Sequence, residues 1–197
     1  MDLIGLSSVQ GRVRAHHVWG EEDSSLIWTP KTDFSKNLVL NQWATIVTKL
    51  LTSGDARYRI GGMYLEFENT GSPGDSVSVP SFDRTRDVSY YDDLAGSANR
   101  DYLRIPMTAN QLLTEGDDFN DNQIVFFGRS SGTTGVHGKT FSDSVNSTIF
   151  GASLVAFVSN NDATQDLLLS SFYFDVADQQ QKLSNSQVGI EWQVTFQ

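Results

Sequence analysis

Apolar and polar positions along this chain follow two periods, and a single stretch follows the helical one. From Asn37 to Leu51, the residues Val39, Trp43, Ile46, Val47, Leu50 and Leu51 recur at steps of three, four and one. Those steps lie on one stripe of a roughly 3.6-residue repeat, so an amphipathic helix is predicted over 37–51. Ser35 or Asp33 is a candidate cap for its start. Gly54 stands where a helix end takes a left-handed residue.

Most of the remainder alternates or runs apolar in short bursts. Val188, Ile190, Trp192, Val194 and Phe196 share one face of a terminal strand. Met63, Leu65 and Phe67 alternate with Tyr64, Glu66 and Glu68, which predicts a strand with the first three inward. Further apolar runs at Ile124–Phe127, Ile149–Val158 and Leu167–Val176 are flanked by Gly, Asn, Asp and Ser, the residues of turns. The expected fold is mainly β, an antiparallel β-sandwich or jelly-roll-like domain with one amphipathic helix.

Residues 1–36 carry Trp19 and Trp28 with little periodicity and read as an N-terminal arm with short strands. Residues 37–197 then form a single β-rich domain that includes the helix. Two loops are long for a compact domain, 69–99 and 130–147, and loops of that length commonly carry contacts. The chain has no internal repeat.

Charge narrows the choice of partners. Lys and Arg number 14 against 24 Asp and Glu, a net charge of −10, which disfavours both nucleic acid and anionic lipid. With no cysteine, disulfides, thiolate catalysis and Cys-ligated zinc are excluded. Met1–Leu6 lacks a basic segment followed by an apolar run, so no signal peptide is expected. No stretch approaches the ~20 apolar residues of a membrane span, and no membrane insertion is expected.

Candidate chemistry fails on its own requirements. Gly128-Arg129-Ser130-Ser131-Gly132 spells a nucleophile elbow, but no helix pattern follows and no acid lies between Ser130 and His137. Gly138-Lys139-Thr140 resembles the end of a phosphate loop, but Thr133 stands where its first glycine belongs. This segment reads as a flexible glycine-rich loop. Asp118, Asn120 and Asn122 open like a calcium loop, yet Gln123 and Arg129 replace the required Gly and Glu. His16 and His17 are adjacent and point to opposite strand faces, unsuited to joint zinc ligation. Glu66 and Glu68 read as exposed charges on a sheet surface, and Tyr90, Tyr91 and Tyr102 as a sugar platform or a subunit seal. No catalytic, cofactor-binding or metal-binding residue is assigned.

Lys36-Asn37-Leu38-Val39-Leu40-Asn41-Gln42-Trp43-Ala44, leading to Leu50-Leu51, resembles the opening of many tailed-bacteriophage tail-fibre and tail-attachment proteins. The strand Gly61–Asn69 and the short loop Gly71–Asp75 follow as they do in that family. Phe172–Asp175 and Val188–Gln197 look like the end of structural proteins of tailed-phage virions. The likeness spans roughly residues 36–100 and 165–197. It implies a non-enzymatic virion protein, made in the bacterial host cytoplasm, that joins fibres or other tail parts. The expected partners are other virion proteins and further copies of the chain in a symmetric assembly. A capsid decoration or cement protein and a carbohydrate-binding β-sandwich module are the alternatives.

The expected contact residues lie in the arm and in the first long loop. They are Trp19, Trp28, Asp83, Arg84, Arg86 and Asp87. Tryptophan and arginine are enriched among interface hot spots, and the loop offers both charge signs.

Overall fold

The computed structural model describes residues 9–19, 27–81, 83–107, 112–113, 123–130, 132–159 and 162–196. The strands are β1 (Val9–Trp19), β2 (Ile27–Pro30), β3 (Ser35–Lys36), β4 (Leu38–Val39), β5 (Gly62–Asn69), β6 (Arg100–Pro106) and β7 (Leu112–Leu113). They continue with β8 (Gln123–Arg129), β9 (Ser147–Ala156), β10 (Leu167–Tyr173), β11 (Gln180–Gln181) and β12 (Gln187–Phe196). Among the described residues two α-helices, α1 (Gln42–Ser53) and α2 (Ser89–Gly96), lie between β4 and β6.

Among the described residues the strands make two antiparallel sheets. The first runs β2-β1-β12-β8-β7, with β3 also on β1, and the second β4-β10-β9-β5-β6, with β11 on β9. The sheets pack face to face through the alternating apolar positions. Val13, Ala15, Phe126, Val188, Ile190, Trp192 and Val194 come from the first. Met63, Leu65, Phe67, Leu103, Ile105 and Leu154 meet them from the second. The protein is an antiparallel β-sandwich, as the alternation predicts.

A second apolar cluster covers the far side of the second sheet. Tyr64, Tyr102, Phe150, Val155, Leu168 and Tyr173 point away from the sandwich interior and are buried under Leu40, Val77, Tyr91 and Leu94. The second sheet is therefore buried on both faces. That is the fact that builds the candidate site.

Three sequence expectations change. The helix begins at Gln42 rather than Asn37, because Leu38 and Val39 pair with Ser171 and Ser170 of β10 as a short strand. Neither predicted cap serves it, since Asn41 stands at the cap position and makes no side-chain cap bond. Gly54 ends it as expected, with φ of 62° and its N–H donating to the Leu50 carbonyl at 3.0 Å. Ile46 is the residue of the stripe that is fully buried, Trp43 and Leu50 pack at the core's margin, and Leu51 is 81% exposed.

The second change is α2, which occupies the loop read over 69–99. Third, the stretch read as an arm contains β1. Its ten ladder positions with β12, from Val9 opposite Phe196 to Val18 opposite Gln187, place it inside the first sheet.

Candidate functional site

The densest polar chemistry lies under α2, on the outer face of the second sheet. Alternation along β5 sends Tyr64 and Glu66 to that face, opposite Met63, Leu65 and Phe67. Glu66 has no exposed surface. Exposed charges on a sheet surface was the expectation for Glu66 and Glu68, and both depart from it. Glu68 is half-buried and ion-paired to Arg100, with Nε 2.6 Å from its Oε2.

Two adjacent tyrosines of α2 reach the Glu66 carboxylate. The Tyr91 hydroxyl lies 2.8 Å from Oε1 and the Tyr90 hydroxyl 3.1 Å from Oε2. Tyr91 Oη also lies 2.6 Å from Ser153 Oγ, itself 2.8 Å from Ser171 Oγ. A phenol carries one hydrogen. With that hydrogen donated to Glu66, the Tyr91 oxygen accepts from Ser153, which in turn accepts from Ser171. This polar wire crosses from α2 through β5 and β9 to β10.

The electrostatics of the cluster follow from burial. Loss of water raises the Glu66 carboxyl above the usual range, opposed by the nearby Arg86 charge and by the two phenols. Burial first and the Glu66 charge second also raise Tyr90, Tyr91 and Tyr173, so these phenols stay protonated. The Arg86 guanidinium stacks 3.7 Å over the Tyr90 ring and 5.0 Å over that of Tyr173, and donates to the Ser81 carbonyl at 3.2 Å. Tyr90 and Tyr173 share a short hydroxyl–hydroxyl contact.

A second carboxylate sits on the same face. Asp166 accepts from the Tyr64 hydroxyl at 2.5 Å and from Arg104 twice, at 2.8 Å and 3.0 Å. Rings link the two centres, with the Tyr64 centroid 4.8 Å from Tyr91 and 4.5 Å from Tyr102.

Asp101, also with no exposed surface, organises the 133–141 loop. Its carboxylate accepts from the backbone N–H of Tyr102 at 2.8 Å, of His137 at 3.1 Å and of Lys139 at 3.0 Å. A Cβ on Gly135 would come 2.3 Å from its Oδ2, so the loop can approach this closely only with glycine there. The segment read as a flexible glycine-rich loop is thus pinned. Its amides surround an anion as those of a phosphate loop do, and the anion is the chain's own carboxylate.

On the first sheet, Glu191 accepts from Arg14 Nε at 2.6 Å and lies 2.9 Å from His16 Nε2. Burial raises this carboxyl, but the bonds from His16 and Arg14 outweigh it and hold it below the usual range.

The sequence candidates are scattered rather than gathered. Arg86 is 7% exposed and belongs to the interior, which removes it from an outer contact surface. Asp87 accepts the Ser89 N–H at 2.9 Å and tethers the start of α2. Asp83 and Arg84 are exposed. Trp19 ends β1 opposite Ile27, edge-on to His17, and is half-buried. Trp28 lies in β2, its side chain outside the described residues.

Ser130 is buried beside β12. It donates its N–H to the Val188 carbonyl at 2.8 Å and accepts the Val188 N–H on Oγ at 3.0 Å, the work of a strand end. The acidic run at 117–122 lies outside the described residues. Among the described residues no three His, Cys, Asp or Glu side chains are grouped to hold a metal ion. No described helix is long and apolar enough to cross a membrane.

Tyr90, Tyr91 and Tyr102 do come together, but inward. Tyr91 is fully buried and Tyr102 2% exposed, so neither forms a sugar platform. The polar network has no periodic signature in the sequence. Its one legible signal is Tyr64, an aromatic on the face of β5 read as solvent-facing. Compared with known proteins, the chain matches no family model, no curated protein and no solved structure.

Proposed function

We propose that the chain is a non-enzymatic structural component of a tailed-phage particle, a tail protein that joins fibres or other tail parts through symmetric protein–protein contacts. The observation that carries this reading is the use of the buried acids. Glu66, Asp101, Asp166 and Glu191 are each held by two or more donors of the same chain. Carboxylates anchored this way fix α2, the 133–141 loop and the strand pairs in place. A protein that acts by large interfaces needs such a frame, because its contacts must keep their relative positions.

The likeness over residues 36–100 and 165–197 to tail-fibre and tail-attachment proteins supports the same reading. A glycan-binding module loses its support, since its aromatic platform would draw on Tyr91 and Tyr102, which are buried. The proposed location is the virion, with synthesis in the host cytoplasm.

The experiment is imaging of the intact particle at a resolution that traces side chains. The expected result is density for this chain at a defined copy number in the tail. Particles that lack the chain altogether would overturn the proposal.

A further inference from the structure

A groove opens where the chain crosses from β3 of the first sheet to β4 of the second. It has a volume of about 590 Å³, within the range of roughly 300–1,000 Å³ typical of ligand clefts. Its charge is unlike that of the rest of the molecule. Arg12, Lys36 and Arg84 line it, together with the apolar side chains of Leu38, Val39 and Trp43. Among the described residues no Asp or Glu lines it, in a chain with 24 acids and 14 Lys and Arg.

Among the described residues none of the three cations forms an ion pair. Arg12 donates to the neutral Gln193 amide at 2.9 Å and lies over the Phe34 ring. Lys36 and Arg84 are both exposed. Helix α1 begins at the same place, and its first turn holds no acidic residue. Among the described residues four other cations do have a carboxylate, at Arg14–Glu191, Arg57–Asp55, Arg100–Glu68 and Arg104–Asp166, whereas Lys139 and Lys182 are satisfied by backbone carbonyls. What marks the groove is three cations gathered on one lining.

We infer that this groove is a docking site for a short acidic peptide segment of a partner chain, with carboxylates alternating with aliphatic side chains. Carboxylates fit because arginine presents a fork matched to them, and aliphatic groups fit the Leu38, Val39 and Trp43 wall. A long nucleic acid fits poorly, since the molecule's net charge repels a polyanion. Among the described residues the lining offers cations and apolar side chains, a surface that holds an acidic, partly aliphatic segment. The inference rests on the reading of the chain as an assembly component, and it names the chemistry of one contact.

The test uses the full purified chain and a fluorescein-labelled synthetic peptide, Glu-Leu-Glu-Leu-Glu, followed by anisotropy. The expected result is saturable binding that weakens with added salt. Lys36→Gln and Arg84→Gln should each weaken it about two- to fivefold, and together by roughly the product. Both side chains are exposed, so the melting temperature should not move. Equal binding of Gln-Leu-Gln-Leu-Gln, or indifference to both substitutions, would overturn the inference. So would displacement by inorganic phosphate at the concentration where free peptide competes, which marks a small-anion site. Tighter binding of an oligothymidylate than of the peptide would overturn it as well. A chain that fails to bind the peptide but is found in the particle loses the groove assignment alone. Binding by a chain absent from the particle leaves the groove and removes the assembly reading.

Discussion

The Tyr91 hydroxyl lies 2.8 Å from Glu66 Oε1, and neither residue has any exposed surface. That contact ties α2 to the middle of the second sheet and turns a solvent-facing position of β5 into an interior one. Tyr91→Phe leaves a buried carboxylate short of a donor and Ser153 short of a partner. A loss of about 1–3 kcal/mol is expected, read by denaturant unfolding. An unchanged midpoint would mean that α2 is held by its apolar contacts alone.

Glu66 and Glu191 should give pH dependences of opposite sign. The Glu66 carboxyl is raised in the folded state, so the folded protein binds more protons there than the unfolded one. Its contribution is therefore lost as pH rises above the unfolded value of about 4.3. The Glu191 carboxyl is lowered, so its contribution is present above that value and lost as pH falls. Relative to the parent, Glu66→Gln should gain stability with rising pH, and Glu191→Gln should gain it with falling pH. Unfolding free energies of the three proteins between pH 3 and 8, bracketing the reference range, check both slopes.

Arg86 supplies the cation nearest in effect to the buried Glu66. Arg86→Ala should cost about 1–3 kcal/mol, through the lost stacking on Tyr90 and Tyr173, the lost bond to the Ser81 carbonyl and the loss of a positive charge that favours the ionised Glu66. The same substitution beside Glu66→Gln should cost less, with a coupling of about 0.5–3 kcal/mol in a double-mutant cycle. Additive losses would show that Arg86 acts through its stacking on Tyr90 and Tyr173.

Asp101→Asn keeps the volume but puts an amide where carboxylate oxygens accept from His137 and Lys139. The 133–141 loop should then open, becoming a site of tryptic cleavage at Lys139 and losing amide protection at 137 and 139. Gly135→Ala should do the same from the opposite side, because its Cβ would overlap the Asp101 carboxylate. Protection equal to the parent's in both variants would mean that the Thr134–Thr140 bridge and the bonds of Val136 to Tyr102 and of Lys139 to Ala95 hold the loop without Asp101.

On α1 the stripe should divide by burial. Ile46→Ala is expected to cost about 2–5 kcal/mol through the cavity it leaves, and Leu51→Ala less than about 0.5 kcal/mol. Thermal unfolding separates them easily. Comparable losses would place Leu51 in a contact that one chain does not show.

Elements whose two faces differ are legible from residue order alone. In β12, Val188, Ile190, Trp192 and Val194 alternate with polar positions, and the strand forms as its pattern predicts. The α1 stripe and Gly54 likewise fix a helix and its end, because spacing and a left-handed φ are local properties. What the sequence could not decide is what folds over the other face. The pattern of β5 marks Met63, Leu65 and Phe67 as inward, but says nothing of whether Tyr64 and Glu66 meet water. The residues that cover them, Tyr90 and Tyr91, lie some two dozen positions further on, in a two-turn helix too short for a clear period. Arg86 and Asp101 were equally hidden, since a charge looks the same in sequence whether it is solvated or enclosed. Periodicity records which side chains share a face. Whether that face is dry depends on contacts between distant segments, and only the tertiary structure sets those.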